Sequence, residues 1–253
     1  MGQTLVTFHA HPDDAEIVCG GTVALAKAAG YRVVLVVATR GELGEVRTGV
    51  LTSDETLAER REAETRAAAD LLGIDRVEFL GYVDSGMAGE PTNDAPDSFA
   101  GADADAAAKR LAHLLHEERA DVLTIYDGNG GYGHPDHVQV HRVGVLAAEL
   151  AGTPAVFEAT MNRDHFKRLM KAQPEAMDQI AAEERPAVED LESLGVPEDQ
   201  ITTTVDVREY VMLKRDALAL HESQVGPESF FFGLSDDAFR EAFGYEWFIR
   251  RGA

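Results

Sequence analysis

A single cysteine, Cys19, stands among 253 residues. It cannot form an intrachain disulfide or build a Cys-rich zinc module, so any bound metal would have to rely on histidine and carboxylates. Basic residues are scarce as well: 23 Lys and Arg stand against 45 Asp and Glu, a net charge of −22 spread along the chain. Most of such a surface would repel a phosphate backbone, which argues against nucleic-acid partners. Nowhere do 18 apolar residues follow one another, and no basic stretch leads into a signal-length apolar run at the start. The expectation is a cytoplasmic protein that does not span a membrane. No Ser/Gly/Pro-rich linker, internal repeat or low-complexity segment divides the sequence. With 45% hydrophobic and 27% charged residues, the chain reads as one domain, residues 1–253, with one well-filled core. A homo-oligomer is compatible with this composition and is not required by it.

What is present is an alternation of periods. Thr4 to His9, Val33 to Ala38, Val77 to Gly81 and Val122 to Tyr126 read as short buried strands. Between and after them, helices are expected over Glu16 to Ala29, from a cap at Ser53 to Leu72, from about Asp103 to Glu118, and over Pro135 to Leu150, with Gly30 and Gly73 as stops. Residues 83 to 101 carry Gly86, Gly89, Pro91, Asn93, Pro96 and Gly101 without a period and form a long loop, a frequent place for function. After Thr153 the order loosens. Strands are expected at Ala155 to Ala159, Thr203 to Val207 and Tyr245 to Arg250, helical stretches between Asp164 and Glu184, and a helix from Arg208 to Ser223. The fold class is α/β: a Rossmann-like, doubly wound, mostly parallel sheet with a less regular C-terminal part. Ligands of such sheets sit at the carboxyl ends of the strands.

Two segments rich in His and Asp fall at those ends. His11, Asp13 and Asp14 follow the first strand, and His134, Asp136 and His137 follow the fourth. Two loops about 120 residues apart thus converge at one edge of the sheet, bringing two His and one Asp within reach of a single ion that keeps a fourth position open. Asp13 lies beside that set without being needed in it and is the candidate general base. If His137 takes the metal, His134 is free to act: protonated and oriented by the Asp136 carboxylate, it could stabilise an oxyanion, with the Tyr132 hydroxyl as second donor. Zinc suits such a set, and Fe(II) would accept it as readily.

Other signals are weaker. Gly128, Gly130 and Gly133 spell G-x-G-x-x-G after a strand, but the His-rich segment occupies the place where a helix N-terminus should cradle a pyrophosphate, so these glycines are read as letting the loop approach the metal pocket. His141 is expected to pack or cap locally, His113 and His116 to sit on a solvated face, and Cys19 to be a small core residue. Arg61 shares a helix stripe with Leu57 and Ala68, and either pairs with Glu64 or reaches the pocket. Asp84, opening the long loop, either binds sugar hydroxyls or is a solvated acid. Phe230-Phe231-Phe232 reads as core or lid packing.

HAHPDDAEIVCGGT at 9 to 22 and YDGNGGYGHPDH at 126 to 137 resemble the PIG-L/LmbE family of metal-dependent N-acetylglucosaminyl deacetylases. GYVDSGMAG at 81 to 89 and HESQVGP at 221 to 227 are similar to its mycothiol branch, which holds a deacetylase of N-acetylglucosaminyl-inositol and an amidase of mycothiol S-conjugates. The resemblance implies an LmbE-type fold and a small-molecule amino-sugar substrate. It also implies zinc on His11, Asp14 and His137, Asp13 as base, His134 with Tyr132 at the oxyanion, and Arg61 and Asp84 on the sugar. One departure stands out: Asp-Asp-Ala-Glu replaces the branch's usual Asp-Asp-Glu, which moves Glu16 one position along and leaves it without an expected role. The wider family has deacetylases of other N-acetyl sugars. A non-catalytic sugar-binding protein, the reading from another class, would be expected to lose Asp13 or a ligand, and this sequence keeps them all.

Overall fold

The computed structural model describes residues 2–172 and 192–252. Seven strands form one sheet: β1 (Thr4–His9), β2 (Arg32–Val37), β3 (Arg76–Phe79), β4 (Val122–Tyr126), β5 (Ala155–Thr160), β6 (Thr203–Asp206) and β7 (Tyr245–Arg250). Their order is β3-β2-β1-β4-β5-β7-β6. The first five pair in parallel, and β7 then runs antiparallel to both β5 and β6. This is the expected doubly wound sheet, closed on one side by an antiparallel pair.

Alternate residues of the central strands bury against opposite layers. Val6, Phe8, Val34 and Val36 pack with Leu111 and Leu115 of α3 (Ala104–Glu117) and with Val140 and Val143 of α5 (Pro135–Ala151), which follows the single turn α4 (Gly130–Gly133). Leu5, Val33, Leu35 and Val37 pack with Val23 of α1 (Asp14–Ala28) and Ala68 and Leu72 of α2 (Leu57–Leu72). Strands covered on both faces explain the unbroken apolar run Val33 to Val37. The order reverses at β1, whose neighbours are β2 on one side and β4 on the other. A crevice opens at such a reversal, and the two His-Asp segments lead out of it.

Three local expectations change. Helix α2 starts at Leu57, capped by Thr56 and not Ser53: the Thr56 side chain accepts from Glu59 N while the Glu59 carboxylate accepts from Thr56 N, a complete capping box. The helix expected over 208–223 is only α7 (Val211–Leu218), so His221 to Gln224 lie in a loop. After α7, two helices were not expected: α8 (Phe230–Gly233) and α9 (Asp236–Phe243). They join α7 in a small third core, where Phe230 and Phe231 meet Phe243 edge-on or tilted, the packing role expected of that run. Helix α6 (Arg163–Ala172) covers part of the stretch expected between 164 and 184, and the remainder lies outside the described residues.

Helix α1 breaks at Cys19, where the backbone turns to φ −145°, ψ 18°. The Gly21 and Thr22 N–H groups beyond the break are taken by the buried Glu246 carboxylate, at 2.9 and 2.7 Å, and Lys214 balances its charge at 2.8 Å. Gly21 also lies against Val207, whose Cβ is 2.5 Å from where an alanine methyl would stand. Alanine normally gains about 1 kcal/mol over glycine inside a helix, but overpacking a closed core costs about 1–3 kcal/mol. Gly21→Ala is therefore expected to destabilise by up to about 2 kcal/mol, the difference of those terms. An unchanged urea midpoint would show that Val207 can move aside.

Candidate functional site

Beyond the carboxyl ends of β1 and β4 lies a cavity of ≈ 520 Å³, lined by His11, Asp13, Asp14, Tyr132, His134 and His137 among others. Every residue singled out for the site borders it except Asp136, which is fully buried behind His11. The long loop after β3 supplies Asp84 and Met87, the loop after β2 supplies Leu43 and Glu45, and Arg61 enters from α2.

Residue by residue, the rings have fixed directions. His137 donates from Nδ1 to the Gly130 carbonyl at 3.1 Å, which leaves Nε2 facing His11 Nδ1 at 3.3 Å and Asp14 at 3.4 Å. His11 turns Nδ1 to Asp14 at 3.4 Å, and its Nε2 lies 3.3 Å from Asp136 and 3.5 Å from Asp84. His11 Nδ1 and His137 Nε2 therefore stand 3.3 Å apart, and each lies 3.4 Å from the Asp14 carboxylate, His11 from its Oδ2 and His137 from its Oδ1. A tetrahedral ion with ligand bonds of about 2.0–2.1 Å requires edges of about 3.3–3.4 Å. The trio fits a zinc-sized ion, with carboxylates behind the histidine in the usual supporting place. A His134 ring nitrogen also comes within 4.8 Å of those of His11 and His137, but its Nδ1 is engaged by Asp136 N.

Electrostatics favour a cation at this point. Burial would lower the His11 pKa, yet hydrogen bonds with Asp136, Asp14 and Asp84 hold it well above its ordinary value. Burial would likewise raise Asp14, but His137 and His11 hold its carboxyl well below the usual range. Three buried carboxylates around one imidazole make a place where added positive charge is stabilised.

Asp13 and Asp14 do not cap α1 with their side chains. Asp13 makes no cap hydrogen bond, and Asp14 accepts from His11 N at 2.7 Å. The Asp13 carboxylate is held instead by Arg61, whose guanidinium reaches it at 2.7 Å and also donates to the Gly41 carbonyl at 3.0 Å. Of the two partners open to Arg61 in the sequence, it takes the pocket. Glu64 binds the Ser223 N–H and hydroxyl, at 2.9 and 2.7 Å.

The structure corrects the expected link between Asp136 and His134. The Asp136 backbone N–H donates to His134 Nδ1 at 3.2 Å, while the Asp136 carboxylate turns away to the Ser85 N–H at 3.0 Å and to the Ser85 hydroxyl. Burial, with His11 and His137 nearby, pushes His134 down to about 4. It is therefore a neutral ring whose proton sits on Nε2, not the protonated ring expected. Tyr132 is 47% exposed at the mouth, with its ring edge-on to His137 at 5.0 Å. Burial of the phenol and the Asp14 charge hold it above its ordinary value, so it keeps its proton.

Asp84 is not a solvated acid. It is 5% exposed, accepts from Gly86 N at 2.9 Å, and stands beside His11. Gly130, at φ +65°, lets the loop close onto α5, since a Cβ there would lie 2.6 Å from that of His137. His141 bonds locally to the Tyr126 carbonyl at 3.0 Å, His113 and His116 are exposed, and Cys19 is buried in the core.

Sequence reasoning missed Ser85, Glu45, Gln224, Tyr126 and the pair Glu16–His221. The last two face each other at 3.3 Å with no exposure, so Glu16 does have a partner near the site. The HESQ stretch was the available signal for His221 and Gln224. Nothing in the local pattern pointed to Tyr126, which reads as an ordinary strand end.

A doubly wound sheet with buried histidines and carboxylates clustered at its switch point belongs to the class of folds whose site could hold a metal ion. The chain belongs to the PIG-L family, because residues 6–148 match the family described as GlcNAc-PI de-N-acetylase. A deacetylase of Thermobifida fusca, named for 1D-myo-inositol 2-acetamido-2-deoxy-alpha-D-glucopyranoside, is 40% identical over 96% of this chain and 91% of its own length. The protein of the same name from Acidothermus cellulolyticus is 38% identical over 98% and 89%. The crystal structure of a conserved protein from Thermus thermophilus superposes with a TM-score of 0.61 at 23% identity, covering 99% of this chain and 95% of that one, and shares the fold. Like its named relatives, the chain is a deacetylase, an amide hydrolase. Among the described residues no helix is long and apolar enough to cross a membrane.

Proposed function

We propose that this chain is a cytoplasmic, one-domain, zinc-dependent N-deacetylase of N-acetylglucosaminyl-inositol. The observation that carries the substrate is the 38–40% identity, over 96–98% of the chain, to deacetylases named for that compound. Fe(II) would fit the same donors.

His11, Asp14 and His137 would hold the ion. Bound there, it would supply Lewis acidity, acidifying water and polarising the substrate carbonyl. Asp13, open to the pocket and fixed by Arg61, takes the proton from the attacking water and returns it to the leaving amine. The carbonyl oxygen gains charge as the water adds. The Nε2–H of neutral His134 and the Tyr132 hydroxyl donate to it, in the manner of an oxyanion hole. Arg61 acts mainly through Asp13, while Asp84, beside His11 and at the pocket wall, both supports that ligand and faces the sugar.

The test is primary-amine release from N-acetylglucosaminyl-inositol and from a mycothiol S-conjugate, with metal-replete and chelated enzyme. Release from the first substrate, abolished by chelator and restored by Zn²⁺, is expected. Release from the conjugate alone would make the protein an amidase, and release from neither would remove this substrate assignment.

A further inference from the structure

Tyr126 and His9, the last residues of β4 and β1, are 2% and 1% exposed and take no part in the chemistry above. The Tyr126 ring stacks on His137, with centroids 4.4 Å apart and planes 17° from parallel. Its hydroxyl lies 2.9 Å from His9 Nδ1, close enough to the Asp14 carboxylate that burial and that charge together hold the phenol well above its ordinary range. Beyond His9, its Nε2 stands 2.5 Å from the Thr7 hydroxyl, which accepts from Thr124 at 2.8 Å. A line of buried polar groups thus runs from mid-sheet to two of the proposed ligands.

Its direction can be read from the acceptors. The Thr124 proton goes to Thr7, so the Thr7 proton needs another acceptor, and besides His9 Nε2 only the weakly accepting Cys19 sulfur lies close, at 3.3 Å. With Nε2 accepting, His9 carries its proton on Nδ1 and donates to Tyr126. The phenol oxygen then accepts from His9, which leaves its own proton to turn toward the nearby Asp14 carboxylate.

We infer that Tyr126 is a positioning residue for the metal: its ring sets the His137 imidazole, its hydroxyl sets the Asp14 carboxylate, and His9 sets the direction of that hydroxyl. The inference rests on His11, Asp14 and His137 being the ligands. Groups that orient metal ligands typically change affinity ten- to a hundredfold when removed.

Zn²⁺ dissociation constants, measured by competition with a chromophoric chelator, test this together with the melting temperature of each metal-free protein. Tyr126→Phe keeps the stack and loses the hydroxyl, and should weaken Zn²⁺ binding by about 10–100-fold while the metal-free protein still folds. His9→Leu should do the same, and His9→Asn, which retains a donor where Nδ1 stood, should recover most of the affinity. Wild-type affinity in both Tyr126→Phe and His9→Leu, with Asp14→Ala metal-free, would overturn the positioning role and leave the ligand set intact. Metal retained by Asp14→Ala would overturn the ligand set and the inference with it.

Discussion

Asp13→Ala should lower turnover by about 10²- to 10⁴-fold, the usual contribution of a general acid-base group, with one metal ion still bound per chain. The reason is geometric. Asp13 lies outside the trio that stands at ion-ligand spacing, caps no helix, and presents a carboxylate whose only described hydrogen bond is to Arg61. Removing it also strands Arg61, whose side chain is 4% exposed, and a buried charge without its partner destabilises by about 3–5 kcal/mol. Asp13→Asn separates the two effects, since the amide oxygen can still accept from Arg61 but cannot carry the proton. Both variants should be equally inactive, with the alanine variant markedly less stable in urea. Metal content by mass spectrometry decides the outcome: if Asp13→Ala loses its ion as fully as a ligand variant, the division between base and ligand is wrong.

Asp14→Ala is expected to lose both metal and turnover. Supporting groups alter affinity by about 10–100-fold, and loss of one of three direct ligands should exceed that range. The variant should purify metal-free under conditions in which the parent retains one equivalent, and excess Zn²⁺ should restore only a small part of the rate. The change also takes a negative charge from between two histidines that both lie 3.4 Å from it. His11, whose raised pKa owes part of its shift to Asp14, should then protonate at lower pH than in the metal-free parent, a shift readable from its NMR titration. An Asp14→Ala protein that binds metal like the parent would move the ligand set to other residues.

Arg61 and Asp84 show how much a position beside a pocket leaves open. Both were expected on the sugar, and both do line the cavity. Yet Arg61 spends its guanidinium on Asp13 and Gly41, and Asp84 stands behind His11. A helix stripe can place an arginine toward a pocket, but it says nothing about which acceptor waits there. Ser85 lies inside the GYVDSGMAG stretch yet carried no expected role, for a related reason. It is a small polar residue in a loop without period, and its importance comes only from Asp136, 51 positions away.

The sequence by itself determined the strands and helices up to β5 to within a few residues, the parallel order they imply, and the two loops on which the chemistry lies. Those features are written in spacings of two to four residues and in Gly, Pro and Thr at chain turns, interactions that neighbours along the chain can satisfy. Only the tertiary structure decided which nitrogen of each histidine faces the proposed ion site, that Arg61 holds Asp13, that the Asp136 carboxylate serves Ser85 and His11 and not the His134 ring, and that Tyr126 stacks on His137. His11 and His137 meet across 126 positions, and Tyr126 meets His9 across 117. Ring directions and hydrogen-bond partners are set where distant segments pack together, and no local period records which side chain will be waiting on the other strand.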